Sequence, residues 1–451
     1  MPLFGSSGIR GIVGQDLTEE FCYDVARALG TLLPRRSRVC VATDTRVSRD
    51  IINDAVISGL RKTGVNVTEL GILPTPALAF ITGALKFDTG IMITASHNPS
   101  AYNGMKLFNR NRMGYSRRQE KMIENIFRHK MFRDDGYGEL SQNYATKETY
   151  FRFFQDRFGD SIIGKNLRVL IDPGNGAAAG FATGLFSRLG LSVFPLNDEP
   201  DGLFPGRSPE PRADTLGNTV ECMRGNNIDI AVCFDGDADR VVFLDKDGFV
   251  GLNEAITFIA QLAVIKSGKN KVAATVETGI LLDLALAALK TEVMRGRVGD
   301  VHLAYLTKKL NAAIGVEPVG VYIMPEIGYY PDSMYAAITL LSSLSKESQL
   351  REFLANLPQL YFRQENIPCP NTAKKAVMKK VRQDTALTRE GRVTAIDGIR
   401  LDFHDSWLLI RASGTEPLIR ICAESNSLST TEHLLRRGVT TVQNILSGPI
   451  K

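Results

Sequence analysis

The chain has 451 residues, 44% of them hydrophobic and 23% charged, a length that predicts several domains and a composition that excludes a disordered chain. Its 54 lysines and arginines against 49 acidic residues leave a net charge of +5, with no arginine-rich arm or basic stripe interleaved with aromatics, so nucleic acid is not an expected partner. The start of the sequence carries no charged-then-apolar leader and no apolar run reaches the roughly 18 residues of a membrane span, so a soluble, cytoplasmic protein is expected.

The densest basic cluster, Lys374-Lys375 and Lys379-Lys380, reads as a solvated helix face. The six cysteines form no CxxC pair, and Cys40 and Cys233 sit in strand-like runs as reduced thiols. His97, His129, His302, His404 and His433 are too scattered for a zinc site. Any metal is expected to be a hard one held by carboxylates.

Three stretches repeat one pattern along the chain. The first has a strand at 38–42, a helix at about 49–64 and a strand at 65–70. The second has a strand at 169–171, a turn at Asp172-Pro173-Gly174-Asn175-Gly176, a helix ending at Leu189 and a strand at 191–195. The third has a strand at 272–276, a helix at 279–290 and a strand at 292–294. Strand, helix and strand in that order predict right-handed crossovers and three similar α/β domains with mixed, mainly parallel sheets. The last segment carries a helix around 372–382, strands at 407–410 and 418–423 and a closing helix at 430–446, and reads as a smaller α+β domain. Boundaries are expected near 147, 247 and 362, giving units 1–147, 148–247, 248–362 and 363–451.

Four constellations carry chemistry. Gly5-Ser6-Ser7-Gly8-Ile9-Arg10-Gly11 has the makings of a phosphate cradle, although a glycine-serine stretch in this place is more often simply flexible. A strand at 90–95 ends in Ser96-His97-Asn98-Pro99, which puts a hydroxyl beside an imidazole where open α/β sheets bind ligands, with Lys106 following in the same loop. Asp235-Gly236-Asp237-Ala238-Asp239-Arg240 lies between two apolar strands, where three carboxylates repel unless a cation such as Mg²⁺ sits among them. Finally, Arg411-Ala412-Ser413-Gly414-Thr415-Glu416-Pro417 leaves a strand as a small-residue loop, with Arg420 beyond it, and offers amides, hydroxyls and guanidiniums to a phosphate.

Nearby alternatives fit worse. An EF-hand would need glycine where Arg240 stands and glutamate where Lys246 stands, and an aspartate-nucleophile phosphatase motif would not carry Asp239 in its fifth position. Gly159 to Asn166 nearly matches a P-loop but ends in Asn166 and follows no strand.

In this order the motifs resemble the α-D-phosphohexomutase superfamily, of the archaeal phosphoglucosamine mutase type, over essentially the whole chain. The resemblance implies four domains around a central cleft, each giving one loop. It implies that Ser96 carries the phosphoryl group, that Ser96 with Asp235, Asp237 and Asp239 holds Mg²⁺, and that His97, Lys106, Arg10 and Arg240 line the reaction site. Arg411, Ser413, Gly414, Thr415 and Arg420 would hold the phosphate that is not reacting, and Glu317 the sugar. The implied reaction interconverts hexose 6-phosphate and hexose 1-phosphate through a 1,6-bisphosphate, which also serves as activator.

The Ser413 to Pro417 loop resembles the phosphoglucosamine mutase version, which tilts the sugar towards glucosamine over mannose or glucose. The sugar loop departs from the family pattern Gly-Gly-Glu-x-Ser-Gly-His. It reads Gly315-Val316-Glu317-Pro318-Val319-Gly320-Val321, so the serine and histidine have become Val319 and Val321, which can neither hydrogen-bond a hydroxyl nor move a proton. Lys106 or His97 would then take the proton role. The same two valines leave open a catalytically weakened paralogue that only binds sugar phosphates.

Overall fold

The computed structural model describes residues 3–5, 7–345, 348–384, 391–414 and 416–448. Its sheets follow the chain in order. In the first, strand Arg38–Thr43 lies between parallel neighbours Thr89–Ile93 and Asn66–Ile72. Leu140–Gln142 extends one side in parallel. On the other side Tyr102–Asn109 and then Ile9–Ile12 add antiparallel strands. Thr89–Ile93 is buried along its whole length, as expected of a central strand covered on both faces.

The second sheet places Arg168–Asp172 between the parallel strands Ser192–Pro195 and Ile230–Phe234, with Val241–Asp245 and Gly248–Phe249 continuing antiparallel. In the third, Lys271–Thr275 is flanked in parallel by Glu292–Gly296 and Gly315–Glu317, and Val321–Ile323 closes the edge antiparallel. These three sheets are mixed with parallel centres, as the repeating pattern predicts. The fourth sheet is antiparallel throughout, in the order Tyr361–Pro368, Leu418–Ser425, Ser406–Ala412, Ile399–Asp402, Arg392–Thr394. Helices Asn371–Gln383 and Leu428–Ser447 pack on it.

One apolar core runs through the first three units. Helix Thr75–Ala84 lies between the first sheet and helix Lys147–Ile162, and Phe80, Tyr150, Phe154 and Tyr335 meet there edge to face. Such aromatic pairs add to the stabilisation their buried area gives. The fourth unit has a core of its own around Val377, Ile410, Ile421 and Val442. It meets the third unit through a small cluster at Val276, Ile280, Trp407 and Leu409.

Two buried polar groups tie that junction. The Arg400 guanidinium donates to the carbonyls of Val276 (2.7 Å) and Thr278 (2.8 Å), and Glu424 accepts from the Ile280 amide (2.8 Å) and the Trp407 indole (2.8 Å). Their grip on 276–280 explains why the helix expected from Gly279 begins only at Leu281 and spans Leu281–Ala287.

The segment read as a flexible glycine-serine stretch is instead built into the first sheet, where Arg10 pairs with Gly104. A side chain at Gly8 would stand 2.3 Å from the Met105 carbonyl, so only glycine lets the chain pass. Ser6 lies outside the described residues. Among the described residues no helix is long and apolar enough to cross a membrane.

Candidate functional site

The first and second units meet at the ends of their central strands. Ser96 follows strand Thr89–Ile93 and Asp235 follows strand Ile230–Phe234, and the Ser96 hydroxyl donates to Asp235 Oδ2 at 2.7 Å. Both loops are bent sharply, with Ser96 at φ +52° and Ala238 at φ +57°. Non-glycine residues hold that conformation only where their surroundings enforce it. The close approach requires Gly236, because a side chain there would lie 2.5 Å from the Ser96 carbonyl.

Buried arginines enforce the bends. Arg46 pairs with Asp44 at 3.0 Å and donates to the carbonyls of Ser96 (2.8 Å), Asn98 (2.5 Å), Pro99 (2.5 Å) and Tyr102 (2.9 Å). Arg207 does the same for the aspartate loop, pairing with Asp172 at 2.9 Å and donating to the Phe234 carbonyl at 2.7 Å. From the third unit, Ser333 Oγ donates to the Ala238 carbonyl at 2.6 Å and is itself buried.

Asp235, Asp237 and Asp239 are all buried, and each can offer an oxygen within 4.8 Å of the others. Lys106 reaches across from the first unit to Asp237 Oδ2 (2.6 Å) and Asp239 Oδ2 (2.5 Å), and Thr75 donates to Asp237 at 2.5 Å. Asp237 Oδ1 and Asp239 Oδ1 are buried with no hydrogen-bond donor, an expensive arrangement unless a cation completes it. The three carboxylates fit a hard cation with oxygen ligands, and could hold a metal.

The electrostatics follow from this crowding. Burial, with Asp239 and Asp237 alongside, pushes the Asp235 carboxyl well above the usual range. Burial would do the same to Asp237, but Lys106 and Thr75 hold it below. Burial would lower the Lys106 ammonium, yet Asp237 and Asp239 outweigh it and keep the group charged. The His97 imidazole, with Nδ1 3.4 Å from Ser96 Oγ, is pushed down to about 2 by burial and by Arg240, Arg10 and Lys106. Arg10 donates to Asn98 Oδ1 at 2.9 Å, and the Arg240 amide donates to Asp235 Oδ1 at 3.2 Å.

The third unit contributes Glu317, whose Oε1 accepts from the Gly299 amide at 3.2 Å. Burial pushes its carboxyl up to about 7 although Arg240 pulls the other way. Val319 is half-buried beside it, and Val321 is buried in a strand, paired with Glu317. The Val241 amide donates to the Gly320 carbonyl at 3.0 Å, which joins this loop to the strand leaving the aspartates. Asp300, at the head of helix Asp300–Leu310, accepts from Ser7 Oγ at 2.5 Å and so ties the third unit to the N-terminal loop.

In the fourth unit Arg411 and Arg420 face the third. Arg411 donates to Glu277 Oε1 (2.8 Å) and Asp397 Oδ2 (3.2 Å), while Arg420 stands 3.9 Å from Glu277 and 3.6 Å from Glu416. Ser413 Oγ caps the Glu416 amide at 3.0 Å, Gly414 is exposed, and Thr415 lies outside the described residues. Lys374, read as part of a solvated face, is half-buried and donates to the carbonyls of Ser413 (2.7 Å) and Glu416. Its chain is recruited because the loop's carbonyls turn inward. Lys375 and Lys379 are exposed as expected.

The structure therefore brings Ser96, His97, Lys106, Arg10, Arg240 and the three aspartates together. Glu317 lies at their edge, and the Arg411 and Arg420 pair forms a separate group in the fourth unit. Sequence reasoning missed Arg46, Arg207, Glu277 and Ser333. For Arg46 and Glu277 the only local signal was a charge just beyond a strand, and Arg207 and Ser333 had no comparable one.

Comparison with known proteins gives the family to which the four units belong. Profiles of the phosphoglucomutase/phosphomannomutase family match as alpha/beta/alpha domain I over residues 1–134, domain II over 148–248, domain III over 253–361 and the C-terminal domain over 365–437. A probable phosphoglucosamine mutase of Methanopyrus kandleri is 38% identical over 430 residues, covering 94% of each chain. A phosphoglucomutase/phosphomannomutase family protein from Burkholderia thailandensis superimposes with a TM-score of 0.89 at 25% identity, over 99% of this chain and 98% of that one. The fold, though not the sequence, is also shared with Aspergillus fumigatus N-acetylphosphoglucosamine mutase in complex with GlcNAc-6P and magnesium (TM-score 0.62, 16% identity, 98% of this chain and 96% of that one). The chain belongs to the phosphoglucomutase/phosphomannomutase family of phosphohexomutases.

Proposed function

We propose that this protein interconverts hexose 6-phosphate and hexose 1-phosphate, with glucosamine phosphate as the preferred hexose, and that Ser96 carries the phosphoryl group between turnovers. The observation that carries this reading is the Ser96 hydroxyl 2.7 Å from Asp235, inside a buried set of three carboxylates and opposite Lys106. The sugar assignment is supported by the identity to probable phosphoglucosamine mutases. We read the four units as divided near residues 147, 247 and 362.

Mg²⁺ held by phosphorylated Ser96, Asp235, Asp237 and Asp239 would neutralise phosphoryl charge and orient it. Phosphoryl transfer needs alignment and charge neutralisation more than covalent chemistry. Arg10, Lys106 and Arg240 supply further cations. In the first half-reaction the sugar's free hydroxyl attacks phosphorus, the bond to Ser96 Oγ breaks, and the hydroxyl proton leaves for a nearby base. The resulting 1,6-bisphosphate turns end for end, Ser96 Oγ takes its other phosphoryl group, and the isomerised monophosphate departs. His97 Nδ1 lies 3.4 Å from Ser96 Oγ, and because burial with Arg240, Arg10 and Lys106 holds its imidazole neutral, it serves as a hydrogen-bond partner of the serine and not as the base. Lys106, paired to two carboxylates, serves as a fixed cation.

At the far end Arg411, Arg420, Ser413, Gly414 and Thr415 hold the phosphate that is not reacting, while Glu317 accepts from sugar hydroxyls. A hexose 1,6-bisphosphate would prime an unphosphorylated Ser96, and a cytoplasmic location suits both such substrates and six unpaired cysteines. Val319, at the tip of the sugar loop, favours one second reading, a paralogue that binds sugar phosphates without turning them over. Incubating the protein with Mg²⁺, a trace of glucose 1,6-bisphosphate and glucosamine 6-phosphate separates the two, since only the mutase forms the 1-phosphate.

A further inference from the structure

Glu277 lies in the segment between strand Lys271–Thr275 and helix Leu281–Ala287, and no part of the reaction described above uses it. Its position is nevertheless built. Arg400, itself fully buried, grips the carbonyls on either side of it, those of Val276 and Thr278. Glu424 holds the Ile280 amide. The fourth unit thus fixes the backbone from which the Glu277 carboxylate points at Arg411 (2.8 Å) and Arg420 (3.9 Å). The carboxylate, with Val319 and Arg420, also lines a cavity of about 470 Å³ between the third and fourth units, large enough for a hexose monophosphate.

A carboxylate placed on a phosphate-binding arginine pair works against a phosphate unless the ligand brings a positive charge to answer it. An amino sugar does. We propose that Glu277 is a specificity-determining residue that accepts the 2-ammonium group of glucosamine phosphate when Arg411 and Arg420 pass from it to the sugar's phosphate. This rests on the mutase reading above. Of the neighbouring carboxylates, Asp397 holds both the Val298 amide and Arg411, Asp300 holds Ser7, Glu317 accepts from Gly299 and Glu424 from Ile280 and Trp407, while Glu254 also lines the cavity but is not paired with either arginine. Val319 offers the 2-position no hydrogen bond, so charge and not a hydroxyl partner decides the choice.

Sugar geometry sharpens the claim. C1 and C2 are bonded neighbours, so the ammonium comes beside Glu277 only when the 1-phosphate occupies the arginines. When the 6-phosphate sits there, the 2-position is turned towards Ser96. Selection by Glu277 therefore acts on the 1-phosphates and on the bisphosphate in the matching orientation.

The test compares the wild-type protein with Glu277→Gln, which keeps the shape and removes the charge, and with Glu277→Asp, which keeps the charge. Kinetics are followed from glucosamine 1-phosphate, glucose 1-phosphate and N-acetylglucosamine 1-phosphate, whose amide is uncharged. Glu277→Gln should lower kcat/KM for glucosamine 1-phosphate relative to glucose 1-phosphate by about 10-fold or more, mainly through KM. The N-acetyl sugar should follow glucose, and Glu277→Asp should keep part of the preference. Because the equilibrium between the two phosphates is unchanged, the kcat/KM ratio among the 6-phosphates should fall by the same factor, but there through kcat, since the 6-phosphate bound first does not bring its ammonium to Glu277. A glucosamine-to-glucose ratio unchanged in Glu277→Gln, with both substrates improved or weakened together, would reduce Glu277 to a plain counter-ion of the arginines and overturn the proposal. If the wild-type protein turns over no sugar, the mutase reading fails separately. Calorimetric binding of the same 1-phosphates to wild type and Glu277→Gln then decides the charge preference by the same ratio.

Discussion

Ser96 Oγ and Asp235 Oδ2 lie 2.7 Å apart although the strands they follow belong to different sheets. Gly236 permits that approach, and Arg46 and Arg207 hold the two loops in it. Removing the hydroxyl should disable the site without dismantling it. Ser96→Ala is expected to lower turnover by at least about three orders of magnitude, as for other covalent nucleophiles, while glucosamine 6-phosphate binding stays within a few-fold of wild type. Single-turnover assays and calorimetry check the two halves, and undiminished turnover would remove Ser96 from the reaction.

Metal dependence follows from the unpaired oxygens of Asp237 and Asp239. Chelation should abolish turnover and added Mg²⁺ should restore it. A cation bound only by the folded state also stabilises it, by about 2.7 kcal/mol at a hundredfold excess over Kd. Mg²⁺ should therefore raise the melting temperature of the wild type but not of Asp237→Asn. An equal shift in both would place the ion elsewhere.

Ser333 supplies the donor for Ala238 O at 2.6 Å, at the residue where the aspartate loop takes its left-handed turn. Ser333→Ala leaves that carbonyl without its partner, worth about 1 to 3 kcal/mol when buried. Half-maximal activation should require more Mg²⁺, with KM for the sugar phosphate little changed. A mutation that lowered the melting temperature but left Mg²⁺ activation alone would make Ser333 structural only.

Much of the candidate site was legible because the residues it brings together lie in short runs. Ser96-His97 and Asp235 to Asp239 each follow an apolar strand, and the strand ends place them. Strand and helix bounds also fell close, since apolar periodicity marks them. Long-range partners left no comparable trace. Arg46 reads as one more charge after a strand until the chain returns fifty residues later with four carbonyls for it. Lys374 belongs to a run of lysines, and only the inward turn of the Ser413 loop distinguishes it from its solvated neighbours. The N-terminal glycines looked flexible because nothing local shows the strand Tyr102–Asn109 that takes up Ile9–Ile12.

Glu317 gives a pH dependence with a definite sign. Its carboxyl ordinarily titrates at 4.5 and in the fold at about 7 because it is buried. The folded state thus binds the proton more tightly than the unfolded chain. Its contribution is full below 4.5 and is lost as pH rises through about 7, amounting to about 3 kcal/mol. Asp332, raised to about 7 by burial, adds a loss of the same sign. Denaturant titrations of the protein without Mg²⁺ or sugar, at pH 5 and pH 8, should show Glu317→Gln keeping about 2 to 3 kcal/mol more of its stability than wild type between the two. Equal slopes would mean that Glu317 is ionised throughout.

The central claim is that phosphate moves between sugar positions by way of Ser96. Phosphorus NMR of the pure protein with Mg²⁺, a trace of glucose 1,6-bisphosphate and glucosamine 6-phosphate tests it most directly. The account predicts a growing glucosamine 1-phosphate signal, a phosphoserine signal that disappears in Ser96→Ala, and conversion that stops with it. Release of inorganic phosphate instead, or no 1-phosphate from a protein whose Ser96 is demonstrably phosphorylated, would contradict it.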